Sequence, residues 1–248
     1  MKPMGQPAMA SSWRAVMSAL GAVVLALCVL AGPYAMGVAV LLLCGVFAWG
    51  WPVLMGTPSP RGSTVTITVV AVACVVVVIA MESPAYLSIV MAFGVIGAFL
   101  QQLARTDGRE NIVGAVSATV TGVVVVTSAS GWVLAIMDFA GEETVITGLA
   151  VLVLASAVTA FPFRSAYGAA AAAVLGAGGG LAIGAIFPHL SLVTGAIVGL
   201  VVGGMMALSH LVLGTFPATS RWSAALGAAL LPMLVLGIPI HLVAALAA

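Results

Sequence analysis

Apolar positions in this chain come in long runs, and proline, glycine and charged residues gather in the short stretches between them. About nine runs can be followed, each of roughly 18 to 25 residues, the length a helix needs to cross a hydrocarbon layer of about 30 Å. The first, 15–32, stands behind a polar start that holds Lys2 and Arg14. A second run follows almost at once, so 15–32 reads as a membrane helix and not as a cleavable signal. The second run, 34–51, ends at Trp49, Trp51 and Pro52, an aromatic pair and a helix breaker that mark an interface. Pro58, Pro60, Arg61 and Gly62 form a turn before the third, 64–81, which is rich in Val and Ile but too long for a strand. Glu82, Ser83 and Pro84 open the fourth, which extends to Ala104. The densest charge cluster, 105–110, precedes the fifth, 112–137, and an acidic stretch with Asp138, Glu142 and Glu143 precedes the sixth, 144–161. The seventh, 166–187, and the eighth, 190–213, meet at Pro188 and His189, and the ninth covers 222–246 with Pro232 and Pro239 inside it.

The fold class these runs predict is all-α, a polytopic transmembrane helical bundle. A short cytoplasmic tail, 1–13, leads into a single membrane domain, 14–248. With the N-terminus inside, Lys2, Arg14, Arg61, Arg105, Arg109, Arg164 and Arg221 all fall on the cytoplasmic side, where basic residues collect. Glu82, Asp138, Glu142 and Glu143 fall outside, and Asp107 and Glu110 are the cytoplasmic acids. The expected topology is therefore about nine crossings of the inner (plasma) membrane with the C-terminus outside.

Composition agrees with lipid as the medium: 63% of the 248 residues are hydrophobic and 5% are charged, against roughly 25% charged in a soluble domain. A formal net charge of +1 and the lack of a basic stripe give no reason to expect nucleic acid as a partner. Cys28, Cys44 and Cys74 lie inside separate apolar runs and read as small packing residues, with neither disulfide nor metal spacing.

The strongest packing motif is glycine. Gly176, Gly180 and Gly184 recur every four residues in the seventh run, and Gly195, Gly199 and Gly203 do so in the eighth. Each set lines one side of its helix, so a hairpin of the two would bring backbones close together, as small-residue interfaces do in lipid. The same faces could instead join two copies of the chain or a membrane-protein partner.

Polar chemistry inside the runs is sparse. Gly114, Ser117, Thr121 and Ser128 share one side of the fifth run. Ser117, Thr121 and Ser128 could line a polar path, although hydroxyls bonded to a neighbouring helix or to their own backbone are the favoured reading. Gln101 and Gln102 end the fourth run beside Arg105 and Arg109, which would contact lipid phosphate if the cluster does more than orient the chain. His210 and His241 lie near opposite ends of their helices and read as interfacial residues with local hydrogen bonds. Pro232 and Pro239 are expected to kink the last helix and free carbonyls that a neighbour or water must satisfy. No catalytic triad, phosphate loop, metal set or cofactor motif is present in the sequence.

Ahead of the glycine-rich helix the chain reads Pro162, Phe163, Arg164, Ser165, Ala166, Tyr167 and Gly168. This stretch distantly resembles the P-K-K-T-W-E-G segment of the phosphatidate cytidylyltransferases, polytopic enzymes that make CDP-diacylglycerol from phosphatidate and CTP. The proline and glycine match, Arg164 and Ser165 are conservative, and the Trp and Glu are replaced. The family's later G-D-x-x-E-S-x-x-K-R and P-G-H-G-G-x-x-D-R-x-D segments have no counterpart. Residues 205–232 contain no acid, and Ser209, His210 and Arg221 are their strong polar groups. Magnesium and a nucleotide triphosphate would lack ligands there. The resemblance implies a related fold over about the last hundred residues, with catalysis lost. The preference for Arg over Lys, with abundant Ala, Val and Gly, also resembles integral membrane proteins of high-GC actinobacteria. The expected function is a non-enzymatic accessory or scaffold protein of the cell envelope. Two alternatives are a permease or flippase for a small apolar or lipid-like substrate, and a divergent cytidylyltransferase-like protein.

Overall fold

A computed structural model describes residues 7–106, 111–160, 165–213 and 221–247. These residues are helical throughout apart from short turns, and no strand occurs among them. Proline sets where several helices begin: α1 (Pro7–Val29), α2 (Pro33–Leu54) and α3 (Pro60–Met81) each start on one, and a short 3-10 turn, Pro84–Tyr86, leads into α4 (Leu87–Leu103). A proline in the first turn forfeits no helical hydrogen bond and arrives with its φ already helical. The remaining elements are α5 (Ile112–Ala129), α6 (Gly131–Ala135), α7 (Gly141–Ala160), α8 (Ser165–Gly184), α9 (Leu192–Leu213), α10 (Trp222–Val235) and α11 (Gly237–Ala247).

Eight helical segments are long and apolar enough to cross a membrane, with α5–α6 counted as one, Ile112–Ala135, and α10–α11 as another, Trp222–Ala247. The apolar part of α1, Trp13–Val29, is shorter. Helices of 22 residues, such as α2, α3 and α9, are about 33 Å long, enough for the hydrocarbon layer. The outer faces are apolar too: Phe93 is 69% exposed and Phe99 52% exposed on α4. Apolar surface on that scale has no place in water, and the chain is a multi-pass membrane protein.

The centre is built from α2, α5–α6, α7, α10 and α11, whose largest enclosed side chains include Phe47, Trp132, Leu149, Met233 and Ile240. α1 packs on α7 and α10, α2 on α3 and α10, and α8 on α7 and most extensively on α9. Between α8 and α9 the two glycine series face each other. A Cβ added at Gly180 would meet the Gly195 carbonyl oxygen at 2.2 Å, and one at Gly176 would meet Gly203 Cα at 2.6 Å. Gly184, Gly195, Gly199 and Gly203 likewise abut the opposite backbone. The hairpin closes without side chains between its axes, so its contacts are made by backbone atoms at van der Waals distance.

Several boundaries differ from the sequence expectation. α1 begins at Pro7, inside the stretch expected to be a tail. α2 runs through Pro52 to Leu54 instead of stopping at it, for a reason given below. The fifth and ninth runs are each broken, at Ser130 and Leu236. Lys2, Asp107, Gly108, Arg109, Glu110, Pro162, Phe163 and Arg164 lie outside the described residues.

Candidate functional site

A proline inside a helix has no N–H for the carbonyl four residues earlier, and in lipid that carbonyl must find another donor. Here hydroxyls of neighbouring helices provide it. Pro52 leaves Ala48 without its helical partner, and Thr64 of α3 donates its hydroxyl to the Ala48 carbonyl at 2.9 Å. With that bond made, α2 continues past its proline. Pro239 does the same to Val235, and Ser128 of α5 donates to the Val235 carbonyl at 2.6 Å while accepting from the Ile238 N–H at 3.4 Å. Near Pro232 the Ala229 carbonyl accepts from the Ser18 hydroxyl of α1.

The two broken helices cross at their breaks. The short α6 starts at Gly131 and α11 starts at Gly237, and the two glycines touch. A Cβ at Gly131 would fall 2.4 Å from the Gly237 carbonyl carbon, and one at Gly237 would fall 2.2 Å from the Ser128 carbonyl oxygen. Trp132, fully enclosed, donates its indole N–H to the Met233 carbonyl at 3.0 Å. At the far end of this crossing Asp138, just past α6, meets His241 of α11, with Oδ2 and Nδ1 2.9 Å apart. On the same end of the bundle the Glu143 carboxylate accepts from the His189 N–H at 3.1 Å, and the His189 ring stands edge-on to Phe139. Two discontinuous helices thus cross at their breaks, with an aspartate–histidine pair at one end.

The opposite end holds a second polar group. Arg14 of α1 donates to the Leu213 carbonyl at 3.2 Å and so caps the last turn of α9. Beside it, Ser18, Thr159, Ser209 and His210 line one small cavity.

The residues singled out from sequence are distributed as follows. Ser117 and Thr121 lie on the exposed face of α5, where Thr121 donates to the Ser117 carbonyl of its own helix at 2.8 Å. Ser128 is turned inward to α10–α11, so the structure does not bring these three hydroxyls together. The buried hydroxyls of α5 are Thr119, bonded to Ser63 at 2.8 Å, and Thr127, beside Cys74. Arg105 is folded back and buried, donating to Gln102 Oε1 at 2.7 Å, and Gln102 in turn donates to Gln101. Arg109 lies outside the described residues. Sequence reasoning missed Ser18, Thr64 and Trp132 as carbonyl caps and Asp138 as the partner of His241. Prolines announce two of the caps, since Pro52 frees Ala48 for Thr64 and Pro239 frees Val235 for Ser128; the carbonyls taken by Ser18 and Trp132, Ala229 and Met233, do not lie four residues before a proline.

The fold and its polar groups define a class, the multi-pass helical membrane proteins with paired discontinuous helices. No family model, curated protein or solved structure matches the chain.

Proposed function

We propose that the chain is a structural, non-enzymatic component of the cell envelope. In this reading it is an accessory or scaffold protein that crosses the plasma membrane about nine times, N-terminus inside and C-terminus outside. The observation that supports this reading most directly is the use made of polar groups where the broken helices cross. In transporters, discontinuous helices turn their loosened backbone groups towards substrates and ions. Here Ser128 and Trp132 occupy those carbonyls, Gly131 and Gly237 close the backbone gap, and Asp138 engages His241. Groups spent on holding helix to helix build a rigid frame, whose outer faces are left for lipid, for another membrane protein or for a second copy of the chain.

Reconstitution separates this from the alternatives. Purified protein in vesicles carrying a fluorescent phospholipid is expected to leave the rate of lipid exchange between leaflets at the protein-free value. Faster exchange, abolished by Gly237→Leu, would replace the structural reading with the permease or flippase reading, which the two discontinuous helices favour. CTP-dependent conversion of phosphatidate by the same preparation would instead establish a cytidylyltransferase-like enzyme.

A further inference from the structure

Five polar side chains from three helices converge where α1 begins and α9 ends: Arg14 and Ser18 of α1, Thr159 of α7, and Ser209 and His210 of α9. Apolar residues such as Met206, Leu213 and Pro232 complete the walls. The cavity measures about 40 Å³, several times the roughly 10–15 Å³ that one water occupies on this measure, and so admits a group the size of a tetrahedral oxyanion. Its lining carries a guanidinium, an imidazole and three hydroxyls, and no carboxylate. Ser18 and Thr159 give their hydroxyl protons to the Ala229 and Ser156 carbonyls, so the groups that can address phosphate oxygens are the Arg14 guanidinium, the His210 imidazole and the Ser209 hydroxyl. Arg14 gives one of its five N–H groups to the Leu213 carbonyl.

Two further observations indicate what carries the anion. Trp13, the residue before Arg14, packs on Trp222 with ring centroids 4.8 Å apart and planes tilted by 35°, and tryptophans of this kind settle at headgroup depth. The helices α1 and α7 also border an apolar groove of about 370 Å³ that includes Ala22, Val23, Ala26, Val153 and Leu154. Ala22 is one helical turn beyond Ser18.

We propose that the Arg14–His210 cavity is a phosphate site at the membrane interface and that an anionic lipid carries the phosphate, with a chain resting against the α1–α7 groove. The site is independent of whether the protein moves lipid between leaflets. Native mass spectrometry of the full chain, released from detergent with equal amounts of phosphatidylglycerol and phosphatidylcholine, tests it. Phosphatidylglycerol is expected to be retained in preference, because the choline of the other lipid neutralises its phosphate. Arg14→Gln, which keeps a donor for Leu213, and Ser209→Leu, which fills the cavity, are each expected to reduce that retention about tenfold, the effect of losing one charge-assisted contact. Arg221→Gln, an exposed arginine outside the cavity, is expected to leave it unchanged. If Arg14→Gln fails to fold, Ser209→Leu decides. Equal retention of the two lipids, or unchanged retention in the variants, would overturn the site. Displacement of the lipid by millimolar inorganic phosphate would overturn the lipid as its carrier.

Discussion

The serine at position 128 shows how a single hydroxyl can take over a backbone duty. Pro239 removes the donor that Val235 would have had in a continuous helix, and Ser128 stands in for it. Interhelical hydrogen bonds in membranes average about 0.6 kcal/mol and reach about 1.7 kcal/mol. Ser128→Ala is expected near the upper end of that range, because the carbonyl it abandons has no helical alternative. In a Pro239→Ala background the restored N–H supplies one, and the cost of Ser128→Ala is expected to fall towards zero. Thermal unfolding of the four proteins in detergent, analysed as a double-mutant cycle, measures the coupling; equal costs in both backgrounds would show that the hydroxyl does not serve that carbonyl. Glycine at 237 answers to a different constraint, the approach of the Ser128 carbonyl. Gly237→Ala is expected to destabilise by about 1–3 kcal/mol through overpacking. Gly178→Ala, where an added Cβ meets nothing within 4 Å, is expected to be neutral or to gain up to about 1 kcal/mol of helix propensity. The prolines that free these carbonyls are visible in the sequence. The hydroxyls that answer them are not, because Ser128 and Val235 are 107 residues apart and only the packed bundle pairs them.

Among the elements, the α8–α9 hairpin and the α5–α6 and α10–α11 breaks were unequally legible. The hairpin is a local object: Gly176, Gly180 and Gly184 face Gly203, Gly199 and Gly195 across one short turn, so a spacing of four residues in adjacent runs was enough to place both faces. The break at Ser130 has no such local cause. Residues 112–137 read as one uninterrupted apolar run, and the interruption becomes intelligible only when Gly131 is seen against Gly237. Bulk added inside the hairpin tests how firmly it is closed. Gly180→Leu would drive a side chain into the Gly195 carbonyl and is expected to separate α8 from α9, lowering the unfolding temperature sharply and opening the turn at 185–191 to protease. Gly204→Leu adds the same volume where nothing lies within 4 Å of a Cβ and is expected to change neither. A similar response to both substitutions would mean that the glycine faces do not carry the pairing.

At the scale of the whole molecule, the polar contacts constrain the number of crossings. Arg14 reaches the Leu213 carbonyl at the end of α9, and Asp138 reaches His241 in α11. Each contact requires its two partners to lie at the same end of the bundle, so an even number of crossings must separate them. Counting α5–α6 and α10–α11 as single spans, the path from Arg14 to Leu213 contains α1 to α9 and that from Asp138 to His241 contains α7 to α11, an even number in both cases. The proposed nine crossings with the N-terminus inside would have the same parity. The shorter α1 matters most to that proposal, because without it eight candidate spans remain. A reporter enzyme that functions only outside the cytoplasm, fused after Ala248, is therefore expected to be active, and a reporter that functions only in the cytoplasm is expected to be silent there and active at the N-terminus. Both termini reporting from one side would remove α1 from the membrane, and with it the headgroup depth assigned to Arg14 and His210.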